Sequence, residues 1–290
     1  MSGTPRQDGG SPEACTHDLP PAGRLPALLP MLEEAYSRWN RREWIAPDPL
    51  ELVLPYEAPE DRETAAFIAS SLAYGRVAQI VKSASSLLAS LGPSPAEFLR
   101  GASPARLRSL CSSFRHRFTT GEEMGGLLVA LGDILREYGS IEKFLSRYMA
   151  EDQDLVQALS LFSEELRLKA GIRRTFLLPS PAGGSACKRL FLFLKWMVRR
   201  DAVDPGGWTL LSPADLILPL DVHMFRICSA LGLTSRRQPD LKAALEATAA
   251  FRAVLPSDPL KFDFVLTRYG IRQEMDEKVF IQKCLEGQEE

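Results

Sequence analysis

Apolar residues recur along nearly the whole chain at three- and four-residue spacing, the period of an amphipathic helix rather than a half-buried strand. The pattern predicts helices from Leu28 to Arg41, Asp61 to Ala73, Gln79 to Leu91, Pro95 to Leu110, Gly125 to Tyr138, Ile141 to Met149 and Leu155 to Lys169. Connections are short and punctuated by Gly-Pro, Ser-Pro or Gly-Gly, as in helix-rich domains. Thr209-Leu210-Leu211 is too short for a core strand, and Ser212-Pro213 ends it. No alternating run is long enough for a sheet and no fixed-period repeat occurs, so the fold class expected is all-α.

Three later segments carry more information. Ala186 to Arg200 places apolar residues on most sides, which predicts a helix central to the fold. The loop Leu178-Pro179-Ser180-Pro181-Ala182-Gly183-Gly184-Ser185 leads into it. Gly183 and Gly184 allow close backbone approach, and their N–H groups can face an anion at a helix start; a plain flexible loop is the simpler reading. Asp221 precedes the apolar pattern Met224, Ile227, Cys228, Leu231, where a helix N-cap belongs. Asp258 holds a similar position before a last predicted helix.

Charge changes the picture locally. Net charge is −2, which argues against a dedicated polyanion binder, yet nine basic residues face only Glu164 and Glu165 between Leu161 and Arg200. That stretch reads either as a polyanion surface or as a solvated charged face. The five cysteines are scattered without a CxxC pair, and no second His or Cys lies at ligand spacing from His223. Neither a metal site nor a disulfide framework is expected, and a reducing, cytoplasmic setting fits. No apolar run approaches the roughly 20 residues of a membrane span. Met1 to about Gly23 is rich in Gly, Pro, Ser and charge without a basic start and apolar stretch, which predicts a disordered tail rather than a signal peptide.

The most telling pair is Lys188, in an apolar helix, with Asp221 thirty-three residues later in Pro219-Leu220-Asp221-Val222-His223. An amine among apolar neighbours is partly desolvated, which favours its uncharged, nucleophilic form. A carboxylate can hold that amine, take up its proton or stabilise a developing cation. The plain alternatives are a snorkelling surface lysine and a pure N-cap, and capping is compatible with chemistry.

An ordered series of motifs carries a family resemblance. It comprises Phe67-Ile68-Ala69-Ser70-Ser71-Leu72-Ala73-Tyr74-Gly75-Arg76-Val77, Arg115-His116-Arg117-Phe118, Ala186-Cys187-Lys188-Arg189-Leu190 and Phe193-Leu194-Lys195-Trp196-Met197-Val198-Arg199. Asp204-Pro205-Gly206-Gly207-Trp208, Leu218-Pro219-Leu220-Asp221-Val222-His223 and Asp258-Pro259-Leu260-Lys261-Phe262-Asp263-Phe264 follow. From about Leu25 to Gln273 the chain resembles the bacterial family known as domain of unknown function twenty-four hundred. That family in turn resembles the helix-hairpin-helix DNA glycosylases: Leu220 to Arg226 is similar to their catalytic-aspartate segment, and Lys188 to Met197 to the lysine segment of archaeal oxoguanine glycosylases. Departures accompany the likeness. The hairpin Leu-Pro-Gly-Val-Gly is absent, and so is a four-cysteine iron–sulfur loop, since only Cys284 lies near the C-terminus.

The resemblance implies a two-lobed helical bundle, with 25–60 and 186–290 in one lobe, 61–185 as a central helical lobe and 1–24 as the tail. It implies that Lys188 attacks C1′ of a flipped nucleotide while Asp221 stabilises the cationic sugar. Tyr74 or Arg76 would fill the gap in the duplex. Trp196, Trp208, Phe191 and Phe193 are the aromatic candidates for the pocket, though helical spacing suits most of them to a core. Arg173, Arg174 and Arg189 would hold phosphates. His223 reads as a hydrogen-bonding residue at a helix start. The expected partner is double-stranded, lesion-bearing DNA, with no membrane, no cofactor and no metal, and a monomer is expected. A non-catalytic nucleic-acid-binding helical module and a protein-interaction protein are the competing readings.

Overall fold

Local signals set the ends of most helices in the computed structural model, which describes residues 25–149, 154–172, 175–272 and 275–286. The tail expected over 1–24, and Arg173 and Arg174, lie outside the described residues. The helices are α1 (Leu25–Trp39), α2 (Pro59–Ser71), α3 (Val77–Leu91), α4 (Pro95–Gly101), α5 (Pro104–Leu110), α6 (Gly121–Glu137), α7 (Ile141–Ser146) and α8 (Leu155–Ala170). The second half adds α9 (Lys188–Val198), α10 (Val222–Ala230), α11 (Leu241–Val254), α12 (Asp263–Ile271) and α13 (Glu277–Glu286). Between α5 and α6 a small antiparallel hairpin pairs β1 (Arg115–His116) with β2 (Thr119–Thr120), in the register Arg115 to Thr120 and His116 to Thr119. The fold is all-α.

Helix ends follow their chemistry. Pro59 opens α2 with Glu60 and Asp61 in the first turn, where a proline loses no hydrogen bond and carboxylates face the positive helix end. Thr120 and Glu123 form a reciprocal capping box at the start of α6. The single helix expected over Pro95–Leu110 is instead two. Pro104 cannot donate to a preceding turn and holds Ser103 extended (ψ 151°), and the freed Ser103 hydroxyl then accepts from Arg106 N at 3.3 Å to cap α5. Asp258 does not cap the helix that follows it. Its carboxylate is taken by Arg199 Nε at 2.9 Å, and α12 begins five residues later at Asp263, with α13 beyond it as the last described helix.

Packing centres on α9 and α6. α9 is buried at every position from Arg189 to Val198 except Leu192 and lies against α2, where Phe67 meets Phe193 edge-on at 4.9 Å. α6 is sandwiched by α4, α5 and α8. Its glycines make that possible: a Cβ on Gly126 would sit 2.4 Å from Ala170 O, and one on Gly132 2.7 Å from Leu99 O. The buried apolar side chains join into one contiguous cluster from Leu25 to Cys284.

A buried ionic network ties the distant ends together. Arg199 pairs with Asp201 (3.1 Å), Asp204 and Asp258 (2.9 Å), while Tyr36 and Asn40 near the end of α1 donate to Asp201 at 3.0 and 3.1 Å. Lys195, 2 % exposed, lies between Asp204 (3.3 Å) and Asp263 (2.9 Å). Burial pulls the Lys195 ammonium down, but the two carboxylates outweigh it and hold it above the ordinary lysine value.

These contacts dismantle the basic stretch as a polyanion surface. Lys195, Arg199 and Arg189 are buried, Arg167 donates to Leu178 O at 2.8 Å, and Lys169 pairs with Glu137 at 3.0 Å. Arg200 stays exposed, but most of the described positive charge in this stretch is already occupied inside the fold.

Candidate functional site

Cys187 adopts a left-handed conformation (φ 43°), so α9 starts abruptly and Lys188 is its first residue. A cation there faces the positive end of the helix dipole, which is unfavourable by a few tenths of a kcal/mol and calls for a nearby anion. Asp221 supplies it. It precedes α10 as its N-cap, and its Oδ1 accepts from the amides of His223 (3.0 Å) and Met224 (2.9 Å). Its Oδ2 is thereby left to face Lys188 Nζ at 3.2 Å. Capping and ion pairing use different oxygens of one carboxylate. Burial alone would raise the Asp221 carboxyl; the Lys188 ammonium and the Met224 N–H outweigh it and hold the group below the usual carboxylate range.

The pair stands at a cavity of about 400 Å³, within the size range of small-molecule sites. The first residues of α3 (Val77), α9 (Lys188), α10 (Val222) and α12 (Asp263) all line it. Four helix N-termini therefore border one space, where their positive ends are met by the carboxylates of Asp48, Asp221 and Asp263 beside Lys188, Lys195 and Arg268. Tyr74, Trp196 and His223 line the same cavity, so five of the residues singled out in the sequence come together there.

The others do not, each for a physical reason. Gly183 and Gly184 lie on the surface away from the cavity, and their amides are taken by Ser180 O (3.2 Å) and Pro181 O (2.8 Å), leaving none for an anion. Arg189 is buried and donates to Ser71 O (2.9 Å), Leu177 O (3.2 Å) and Phe176 O, so it holds no phosphate; burial lowers it to about 10. Arg76 is exposed but is not part of the cavity wall. Tyr74 is a fixed wall rather than a mobile probe. Its hydroxyl donates to His116 O at 2.7 Å, lies 2.7 Å from Thr119 Oγ1 and accepts from Thr119 N at 3.2 Å. Trp208, Phe191 and Phe193 are core residues, and Trp208 Nε1 donates to Glu63 at 3.1 Å. Trp196 is 2 % exposed, so it can offer only an edge of its ring.

Sequence reasoning missed the second row of charges. Lys195 and Asp263 also line the cavity, as do Asp48 and Arg268, which pair at 2.5 Å. Lys195 falls seven residues after Lys188, two turns along the same helix face, a spacing that could have flagged it. His223 Nδ1 lies 2.8 Å from Glu277 Oε2, which anchors α13 beside the cavity, and no sequence-local signal points to that partner. Among the described residues no group of three or more His, Cys, Asp or Glu is arranged to hold a metal ion, and no helix is long and apolar enough to cross a membrane.

Fold and site together make this a helical protein with a lysine–aspartate pair at a cavity. Residues 48–272 match the model of the family described as protein of unknown function, DUF2400, and the chain belongs to that family. No curated protein and no solved structure matches it.

Proposed function

We propose that the protein is a DNA glycosylase-like enzyme that excises a damaged base from double-stranded DNA, acting as a monomer without a cofactor in the reducing cytoplasm. The observation that supports this most is the Lys188–Asp221 pair, 3.2 Å apart at the cavity, with Lys188 about a third exposed and bound to a single carboxylate. Lys195 is the contrast: 2 % exposed at the cavity wall, it is held between two carboxylates.

In this reading Lys188 enters as the free amine after releasing its ammonium proton to solvent. Its nitrogen forms a bond to C1′ of an extruded nucleotide as the bond from C1′ to the base breaks. The electron pair leaves with the base, and one of the two protons then on the Lys188 nitrogen passes by way of Asp221 to the departing base. The nitrogen lone pair this frees expels O4′ from C1′, O4′ takes a proton from solvent, and the opened sugar is left as the C1′ iminium that borohydride reduces. A carboxylate held below its usual range is a weak base but a persistent anion, so its main part is to stabilise the positive charge developing on the sugar.

Borohydride trapping on a panel of lesion-bearing duplexes, together with a base-release assay on the same panel, tests the reading. A covalent adduct is expected with the wild type and none with Lys188→Ala, and base release is expected to vanish in Asp221→Asn. Salt-sensitive duplex binding that gives neither adduct nor release, and that Lys188→Ala leaves unchanged, would identify a non-catalytic binding module instead.

A further inference from the structure

The hairpin between α5 and α6 presents something no buried core explains. At its two-residue turn Phe118 is 65 % exposed, and its ring meets Phe176, itself 50 % exposed, edge-on at 5.5 Å. Two large aromatic rings exposed side by side form a contiguous apolar patch, the kind of surface that interaction sites use. The backbone that carries them is anchored. Tyr74 Oη binds His116 O on one strand and Thr119 on the other, and the Arg189 guanidinium lies 4.6 Å from the Phe176 ring centre while donating to Phe176 O.

The surroundings are mainly basic, with Glu122 and Glu123 as the carboxylates just beyond β2. Arg76, Lys82, Arg115 and Arg117 are all exposed, and none pairs with a carboxylate among the described residues. Arg117 lies over Gly75 on the cavity wall: a Cβ at Gly75 would fall 2.6 Å from Arg117 Cδ. Beside the hairpin a groove of about 300 Å³ is lined by Lys82, Arg115, Ser83, Ser86, Ser90 and Ser113. The Ser83 hydroxyl is engaged by His116 Nδ1 (3.0 Å) and Gln79 Nε2 (3.1 Å) and that of Ser90 by Leu87 O (2.6 Å), which leaves those of Ser86 and Ser113 to a ligand. Cations and hydroxyls in a groove suit phosphate oxygens, and the exposed rings beside them suit the flat faces of bases.

We infer that this surface binds an unpaired nucleic-acid segment, with bases stacked on Phe118 and Phe176 and phosphates held by Arg117, Arg115 and Lys82. Bases inside an intact duplex stack on one another and offer no face to a protruding ring, so the surface selects single-stranded or gapped stretches. Its continuity with Gly75 places that stretch at the entrance to the Lys188–Asp221 cavity. The inference rests on nucleic acid being the partner, as proposed above, but not on base excision.

Fluorescence anisotropy with undamaged oligonucleotides, which present no lesion to excise, reads it directly on the full chain. Single-stranded and gapped oligo(dT) are expected to bind more tightly than a matched duplex. Phe118→Ala should weaken that binding roughly 5- to 150-fold, the range for loss of one base–aromatic stack, while Phe118→Trp retains it. Arg117→Ala should flatten the dependence of log affinity on log salt by about 0.7. Unchanged melting temperatures verify that the exposed substitutions leave the fold intact. Equal binding by Phe118→Ala and wild type overturns the inference, and so does Phe118-dependent binding to phosphatidylserine vesicles in place of oligonucleotide. If adducts form on lesion duplexes while Phe118→Ala binds oligo(dT) as the wild type does, base excision stands and the stacking surface falls. If stacking holds while no lesion is excised, the reverse is true.

Discussion

Replacing Asp221 separates its two tasks, because each of its oxygens serves a different partner. Asparagine offers the same amide-accepting oxygen to His223 N and Met224 N and caps helices about as well as aspartate, so Asp221→Asn removes only the charge facing Lys188. Alanine removes both. An N-cap is worth about 1 kcal/mol. With Lys188 about a third exposed, the pair across 3.2 Å is screened and contributes about 1 kcal/mol at most. Urea denaturation is therefore expected to show Asp221→Asn about 1 kcal/mol less stable than wild type and Asp221→Ala about 2 kcal/mol less stable, with unchanged m-values. Both variants should fail in base release, because the anion beside the developing cation is gone from each. Equal destabilisation by asparagine and alanine would refute the division between the two oxygens. Full base release by a folded Asp221→Asn would refute the electrostatic role.

Lys195→Met should cost far more than Lys188→Met: it strips the cation from two buried carboxylates, a loss of about 3–5 kcal/mol against about 1 kcal/mol or less for the exposed pair, read by chemical denaturation. Gly270→Ala would drive a methyl to within 2.5 Å of the His223 ring and break its contact with Glu277, so α13 should become more susceptible to protease and stability should fall by about 1–3 kcal/mol. Burial lifts the Glu63 carboxyl to about 7, despite donation from the amides of Ile141 and Glu142 and from Trp208. Because the folded value lies above the unfolded one, the folded state binds this proton more tightly; its stabilisation is complete below about pH 4.5 and is lost as pH rises through 7. Melting temperature should accordingly fall across that window, with Trp208 fluorescence as the probe, and Glu63→Gln should flatten the dependence.

What was legible in the sequence was whatever the chain decides within a few residues. The apolar period gave the all-α class, and Asp221 was readable as a cap because its two amide partners lie two and three residues ahead of it. Asp258 has the same local look and a different fate, since its partner Arg199 lies 59 residues away and wins by charge. The same limit governs charge counting. Nine basic residues between Leu161 and Arg200 suggested a surface for a polyanion, but a linear count cannot distinguish a guanidinium satisfied by three carbonyls, as at Arg189, from one left in water. Arg76, Lys82, Arg115 and Arg117, exposed and without a carboxylate partner among the described residues, come instead from separate parts of the chain around the hairpin, where Tyr74 holds His116 and Arg117 lies over Gly75. Lys188 and Asp221 met for a related reason. The thirty-three residues between them encode no distance; the abrupt start of α9 and the cap of α10 supply it, by turning two helix N-termini toward one cavity. The meeting of this pair therefore depends on backbone features, the left-handed Cys187 and the capped α10, as much as on the two side chains.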